Sequence, residues 1–184
     1  DRNISSSNSN YKSLIKSLAD YVKIGLHPSY FTLKDEEMFK KEKKRLNNII
    51  NTPVKFSRQH YLRFSMPETY HTLLDLDILE DHTMGYAKHV GFRASTCTPF
   101  YFYDLDYEIQ TPLKIFPFAF MDGALAVHQE LSVDDSYARI LKLITEVKQV
   151  NGTFISLLHN DTLSNTGMWV GWKKLYRKMV KELV

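Results

Sequence analysis

Apolar positions in this chain follow two alternating rhythms. From Tyr11, the residues Leu14, Ile15, Leu18, Tyr21 and Val22 recur at spacings of three and four. That pattern predicts an amphipathic helix leading into a short strand at 23–26. Asp35 is placed to cap a second helix, whose apolar positions Met38, Phe39, Leu46, Ile49 and Ile50 lie among charges until Asn51-Thr52-Pro53 breaks it. A strand over 54–56 follows. Pro67-Glu68 opens a third helix with Tyr70, Leu73 and Leu74 on one side, and Ile78-Leu79 restarts an extended segment.

The rhythm breaks at 91–122, which is dense in aromatics and punctuated by Pro99, Pro112 and Pro117. A long loop or hairpin is expected there, followed by a strand over 113–120. Ser132-Val133-Asp134-Asp135 reads as a capping box for a helix running to about Val150, with Asn151-Gly152 as its stop. A continuous apolar strand at 154–158 and a final amphipathic helix marked by Trp169, Trp172, Leu175, Tyr176, Met179 and Val180 complete the chain. Strand and helix alternate almost throughout, which is the mark of a parallel α/β architecture with its functional groups at the carboxyl ends of strands.

Four apolar runs end in polar loops that carry His or Arg: Gly25-Leu26-His27-Pro28-Ser29-Tyr30, Ser57-Arg58-Gln59-His60-Tyr61, Gly91-Phe92-Arg93-Ala94 and Ile155-Ser156-Leu157-Leu158-His159-Asn160-Asp161. Three of the seven histidines stand at these points. The other four, His71, His82, His89 and His128, read as surface or loop residues. The chain of 184 residues, 43% hydrophobic and 24% charged, fits one domain of ordinary size. Its apolar runs fall short of the roughly 20 residues of a membrane span. With a formal charge of +3 and its cations interleaved with apolar helix positions, a solvated face outweighs a nucleic-acid patch. The lone cysteine, Cys97, forms no internal disulfide, which favours the cytoplasm. Residues 1–10 read as a flexible lead-in, rich in Ser and Asn, and 11–184 as a single α/β domain.

At these strand ends the chain resembles the polysaccharide deacetylases of the NodB-homology type, carbohydrate esterase family four, and in Met84-Gly85-Tyr86-Ala87 with Gly91-Phe92-Arg93-Ala94 a divergent bacterial branch of them. The resemblance implies a partial or distorted (β/α) barrel, a divalent metal such as zinc held by one Asp and two His, an Asp base and a His acid that together remove acetyl groups from amino sugars. Gly25-Leu26-His27 is similar to the motif that carries the first metal-binding His. The second His, usually four residues later, is here Phe31, and His60 in Arg58-Gln59-His60-Tyr61 is the candidate in its place. Leu157-Leu158-His159 is similar to the strand that ends in the catalytic acid, which makes His159 the candidate general acid, with Asn160 and Asp161 to orient it. Arg58, Tyr61, Tyr86 and Arg93 are the candidates for binding or orienting substrate, with Asp81 and Asp122 on the same rim.

The family's paired Asp motif has no counterpart ahead of His27, where only Asp1 and Asp20 occur. The resemblance therefore implies that the first barrel strands precede Asp1. The sheet edge they would leave predicts a homodimer. Three readings stand open: a metal-dependent hydrolase that deacetylates an amino-sugar-containing glycan, a catalytically silent carbohydrate-binding relative or fragment without independent activity, and an α/β domain whose histidines are structural. A carbohydrate is the expected partner, and neither nucleic acid nor membrane is.

Overall fold

The computed structural model describes residues 4–183. Among them are five α-helices and six strands, with helices where the periodicity predicts them: α1 (Ser9–Ala19), α2 (Glu36–Ile50), β1 (Phe56–Ser57), α3 (Glu68–Asp75), β2 (Glu80–Asp81), β3 (Phe100–Asp104), β4 (Ile109–Ile115), β5 (Phe120–Met121), α4 (Val133–Gln149), β6 (Ser156–Leu157) and α5 (Trp172–Leu183). Of the described residues, 4–82 with 101–114 form one compact unit and 83–100 with 115–183 another.

In the first unit the caps fall where the sequence puts them. Asp35 accepts from the amide of Met38 at 2.9 Å, satisfying one of the orphan donors of α2. Asn51 closes that helix in the left-handed conformation that Asn tolerates. The sheet order is β1-β2-β4-β3. Strands β1 and β2 pair in parallel, with Phe56 opposite Glu80 and Ser57 opposite Asp81. Strands β3 and β4 are neighbours joined only by residues 105–108, a link too short for anything but an antiparallel hairpin. Tyr70, Leu73, Ile78, Phe102 and Leu113 are buried, and the Tyr70 ring meets Phe102 edge-on at 4.9 Å.

The expected strand at 23–26 contracts to a single parallel bridge, Leu26 to Ser57. Leu26 donates its amide to Phe56 O at 2.8 Å and accepts from the Arg58 amide at 3.0 Å. Gly25 permits this approach, since a Cβ there would lie 3.1 Å from both Cβ and O of Phe56. Helix α1 fully buries none of its residues: Leu14 and Leu18 stay exposed, Tyr11, Ile15 and Ala19 are half-buried, and the helix meets α2 and is capped by Asn8.

The expected strand over 113–120 splits in two. Strand β4 ends at Ile115 and β5 resumes at Phe120, with Pro117, which has no donor for a ladder, between them. Strands β5 and β6 pair in parallel, Phe120 opposite Ser156 and Met121 opposite Leu157. Ser132 accepts from the amide of Asp135 and donates to its carboxylate at 2.6 Å, the reciprocal cap that the sequence predicts for α4. Helices α4 and α5 bury Ile140, Leu143, Ile144, Trp172, Leu175 and Met179 in one cluster with Ala119, Phe120 and Leu125. Gly85 is required here as well, because a Cβ would stand 2.2 Å from the Phe118 ring.

Strand pairing among the described residues thus makes a mixed α/β fold with parallel pairing in two sheets, and no closed barrel. No helix among them is long and apolar enough to cross a membrane.

Candidate active site and metal-ligand clusters

In both units a polar group follows the carboxyl end of each parallel segment: His27 after Leu26, Arg58 after β1, His82 after β2, Asp122 after β5, and His159 two residues beyond the end of β6. A parallel strand ends with its last carbonyls and side chains facing a loop, so catalytic groups placed there are carried by the stiffest part of the fold.

The second unit contains an Asp–His dyad. Asp122 is fully buried, and its two oxygens are saturated with donors. Oδ1 accepts from His159 Nδ1 at 2.8 Å and from the Gly123 amide at 2.7 Å. Oδ2 accepts from the His159 amide at 2.6 Å and from the Thr162 hydroxyl. Burial pushes the Asp122 carboxyl up, but the donors from the His159 ring, Thr162 and the His159 amide outweigh it and hold its pKa below the ordinary carboxylate value. An ionised partner at Nδ1 fixes the ring and its tautomer, and directs Nε2 away from the carboxylate. The His159 side chain is 54% exposed, so this imidazole can meet a solute. Asp161, predicted to orient His159, instead opens the 3-10 turn Asp161–Ser164 and is exposed, while Asp122 supplies the carboxylate.

In the first unit His27 and His60, 33 residues apart in sequence, stack with ring centroids 4.8 Å apart and 26° between planes. His27 Nδ1 donates to the carbonyl of Arg58 at 2.7 Å. That places the lone pair on Nε2, the same second-sphere arrangement that prepares a histidine to ligate a metal. His27 and His60 are thus neighbouring imidazoles on two loops, and Asp20, the sole described Asp ahead of His27, is the C-cap residue of α1. Around them Tyr61 meets His60 at 4.7 Å and Tyr30 at 5.7 Å, and the Arg63 guanidinium lies 4.2 Å over the Tyr30 ring. Tyr61 and the next residue, Leu62, both have left-handed backbones, with φ of 55° and 54°. That is a strained conformation for side-chain-bearing residues, and strain of this kind gathers at functional sites.

Glu42 on α2 grips the loop behind His27, accepting from the Ser29 hydroxyl at 2.6 Å and the Ser29 amide at 2.8 Å. Arg58 donates Nε to the carbonyl of His82 at 2.9 Å, and burial lowers the pKa of its guanidinium against the opposing pull of Asp81. His82, expected at the surface or in a loop, lies in the loop after β2 and is half-buried. Burial, and then the Arg58 charge, lower its pKa, with Glu80 opposing.

His71, also expected at the surface, lies on α3 with Nε2 2.5 Å from Oδ2 of the buried Asp104 at the end of β3. Asp104 Oδ1 takes the amides of Asp106 at 2.9 Å and Tyr107 at 3.4 Å. Burial raises the Asp104 carboxyl, and the bonds from His71 and from the two amides overcome that and lower it. One ligand atom each from His71, Asp104 and Asp106 lie within 4.8 Å of one another, a donor set able to hold a metal. The sequence signal was an Asp-x-Asp at a strand end. It pointed nowhere because His71 precedes it by 33 residues in another element.

Tyr86 and Arg93 are exposed residues of the second unit, and the Tyr86 ring meets His89 edge-on at 6.3 Å. Asp81 is fully buried and accepts from the Ser57 hydroxyl at 3.3 Å.

No family model matches the chain, and no curated protein matches it. Among solved structures, a chain from Mycobacterium smegmatis described as a "putative polysaccharide deacetylase" matches with a TM-score of 0.65 and 12% identity. The match covers 95% of this chain and 61% of that one. The chain thus spans about three fifths of the length of that neighbour, and at this identity the likeness establishes a shared fold.

Proposed function

We propose that the protein is a deacetylase-like hydrolase that releases acetyl groups from an amino-sugar-containing glycan. The observation that carries this reading is the Asp122–His159 dyad. A solvent-facing imidazole with a buried, ionised carboxylate on Nδ1 is prepared to deliver a proton from Nε2 to a departing amine. The carboxylate stabilises the imidazolium before the proton leaves, and the His159 amide and Thr162 hydroxyl keep the carboxylate from swinging away. The resemblance of the strand-end motifs and the fold of the Mycobacterium smegmatis neighbour support the same reaction class.

In this reading His27 and His60 hold a divalent metal, zinc, and the Arg58 carbonyl fixes the ring of His27 for it. When bound, such an ion polarises an acetyl carbonyl and acidifies a water. Tyr61, with Tyr30, offers exposed aromatic faces to pyranose rings in the first unit, where Arg58 is a further candidate for orienting substrate, and Tyr86 and Arg93 are the candidates of the second unit. A partial barrel, single-domain behaviour and a homodimer paired through the sheet edge belong to the same proposal.

The test is acetate release from N-acetylated amino-sugar oligomers in the presence of zinc or cobalt, with His159→Gln beside the unaltered protein. Loss of the proton donor should lower turnover by roughly 10²–10⁴. Equal rates in the two proteins, or no release above buffer, would overturn the hydrolase reading. Retention of the oligomer without turnover would favour the binding relative.

A further inference from the structure

We infer that His71, Asp104 and Asp106 form a second divalent-metal site, of the zinc or manganese class, which ties α3 to the β3–β4 turn. This goes beyond the proposed deacetylation and uses none of its residues. An imidazole nitrogen and two carboxylate oxygens approach from two elements, α3 and the turn after β3. Ligand atoms about 2.0–2.2 Å from a tetrahedral ion stand roughly 3.3–3.6 Å apart, so a set within 4.8 Å closes with a side-chain movement of about 1 Å, which the exposed Asp106 can supply.

The surroundings match that use. Asp104 is 2% exposed and is aimed by its own turn, because Oδ1 is committed to the Asp106 and Tyr107 amides and Oδ2 is left toward His71. Asp106 is exposed and has the whole solvent available to it, yet its carboxylate sits beside a second carboxylate. Two anions against one imidazole leave an uncompensated negative charge that a dication would neutralise. The rings of Tyr107, at 6.0 Å, and Phe102, at 6.4 Å, flank His71. The mix of one nitrogen and two oxygens favours zinc or manganese over magnesium or calcium, which prefer all-oxygen shells. On uptake the ion occupies Nε2 of His71, and the proton that Nε2 shares with Asp104 moves to Nδ1 of a neutral ring or to solvent from a protonated one.

The experiment is calorimetric titration of the whole chain with zinc chloride, repeated with manganese and calcium, on the unaltered protein, Asp106→Ala, Asp104→Asn and a His27→Ala/His60→Ala double variant. Asp106→Ala is decisive, since the exposed side chain can be removed with the His71–Asp104 bond in place. Its affinity for zinc should fall by at least roughly tenfold, and that of Asp104→Asn by more. The double variant should keep this site whether or not it loses another, which separates the inference from the hydrolase reading. Zinc binding unchanged in both Asp106→Ala and Asp104→Asn, or no zinc binding by the unaltered protein, would overturn the site and leave His71–Asp104 as a structural pair.

Discussion

His159 in the second unit is held by a carboxylate that is fully buried, whereas His27 in the first is held by a main-chain carbonyl, and the two grips prepare an imidazole for different work. A carboxylate stabilises the charged ring, which suits a group that takes and gives a proton. A carbonyl accepts from Nδ1 without adding charge, which suits a neutral ring whose Nε2 meets a metal. The same position, the loop beyond a parallel strand, therefore acquires a different chemistry from its second sphere alone.

The largest effect should come from removing the carboxylate. Asp122→Ala leaves the His159 amide, the Thr162 hydroxyl and the Gly123 amide without their acceptor, at a cost of about 3 kcal/mol in unfolding free energy, read by denaturant titration. Asp122→Asn keeps the shape and costs less. It should still lower deacetylation by about 10³-fold, because an amide can hold the wrong tautomer of His159. Full turnover in Asp122→Asn would erase the distinction between the two grips.

The complementary variants act on the first unit. His27→Ala and His60→Ala should each weaken zinc uptake at the proposed hydrolase site by at least roughly tenfold, with little change in stability because His27 is exposed. His159→Gln should leave that uptake alone. Uptake that follows His159 and ignores His27 would reverse the assignment of roles.

Much of this was readable in the chain. The helices were legible because their caps are local: Asp35, Ser132 and the Pro67-Glu68 opening act on residues three or four positions away. Strand extents were not, because a strand's length depends on its neighbour. Residues 23–26 have one bridged partner, and Pro117 interrupts a run that looked continuous. His27, His60 and His159 could be picked out since each follows an apolar run. Their partners could not, because Asp122 lies 37 residues before His159 and Asp104 lies 33 after His71, distances that only the fold closes.

Acid should separate the two units. The pKa of His82, in the first unit, is lowered, so the unfolded state binds a proton that the folded state refuses. Its contribution is complete above the unfolded value of about 6.5 and is lost as pH falls through that value toward the lower folded one. The pKa values of Asp122 and Asp104 are also lowered, so their contributions hold above roughly 3.9 and fail only below it. Hydrogen exchange between pH 7.5 and 5 should therefore show protection falling around β1 and β2 while β5 and β6 keep theirs. Equal loss in both would mean that the fold does not lower the pKa of His82.

The smallest effect concerns Tyr61, whose φ of 55° and ψ of 21° place a bulky side chain in the left-handed region while 68% of its surface stays exposed. Nothing in the packing compels that conformation through burial, so the backbone carries the strain and the ring gains only its edge contacts with Tyr30 and His60. Tyr61→Gly should therefore raise stability by about 1 kcal/mol, since glycine adopts this conformation without penalty. If the ring serves to stack on a sugar, the same variant should bind N-acetylated oligomers more weakly. The two readouts would then move in opposite directions, the signature of strain kept for function. A variant that gains stability and binds the oligomer as before would show that Tyr61 is a tolerated irregularity, and would remove the aromatic face of the first unit from the substrate-binding set.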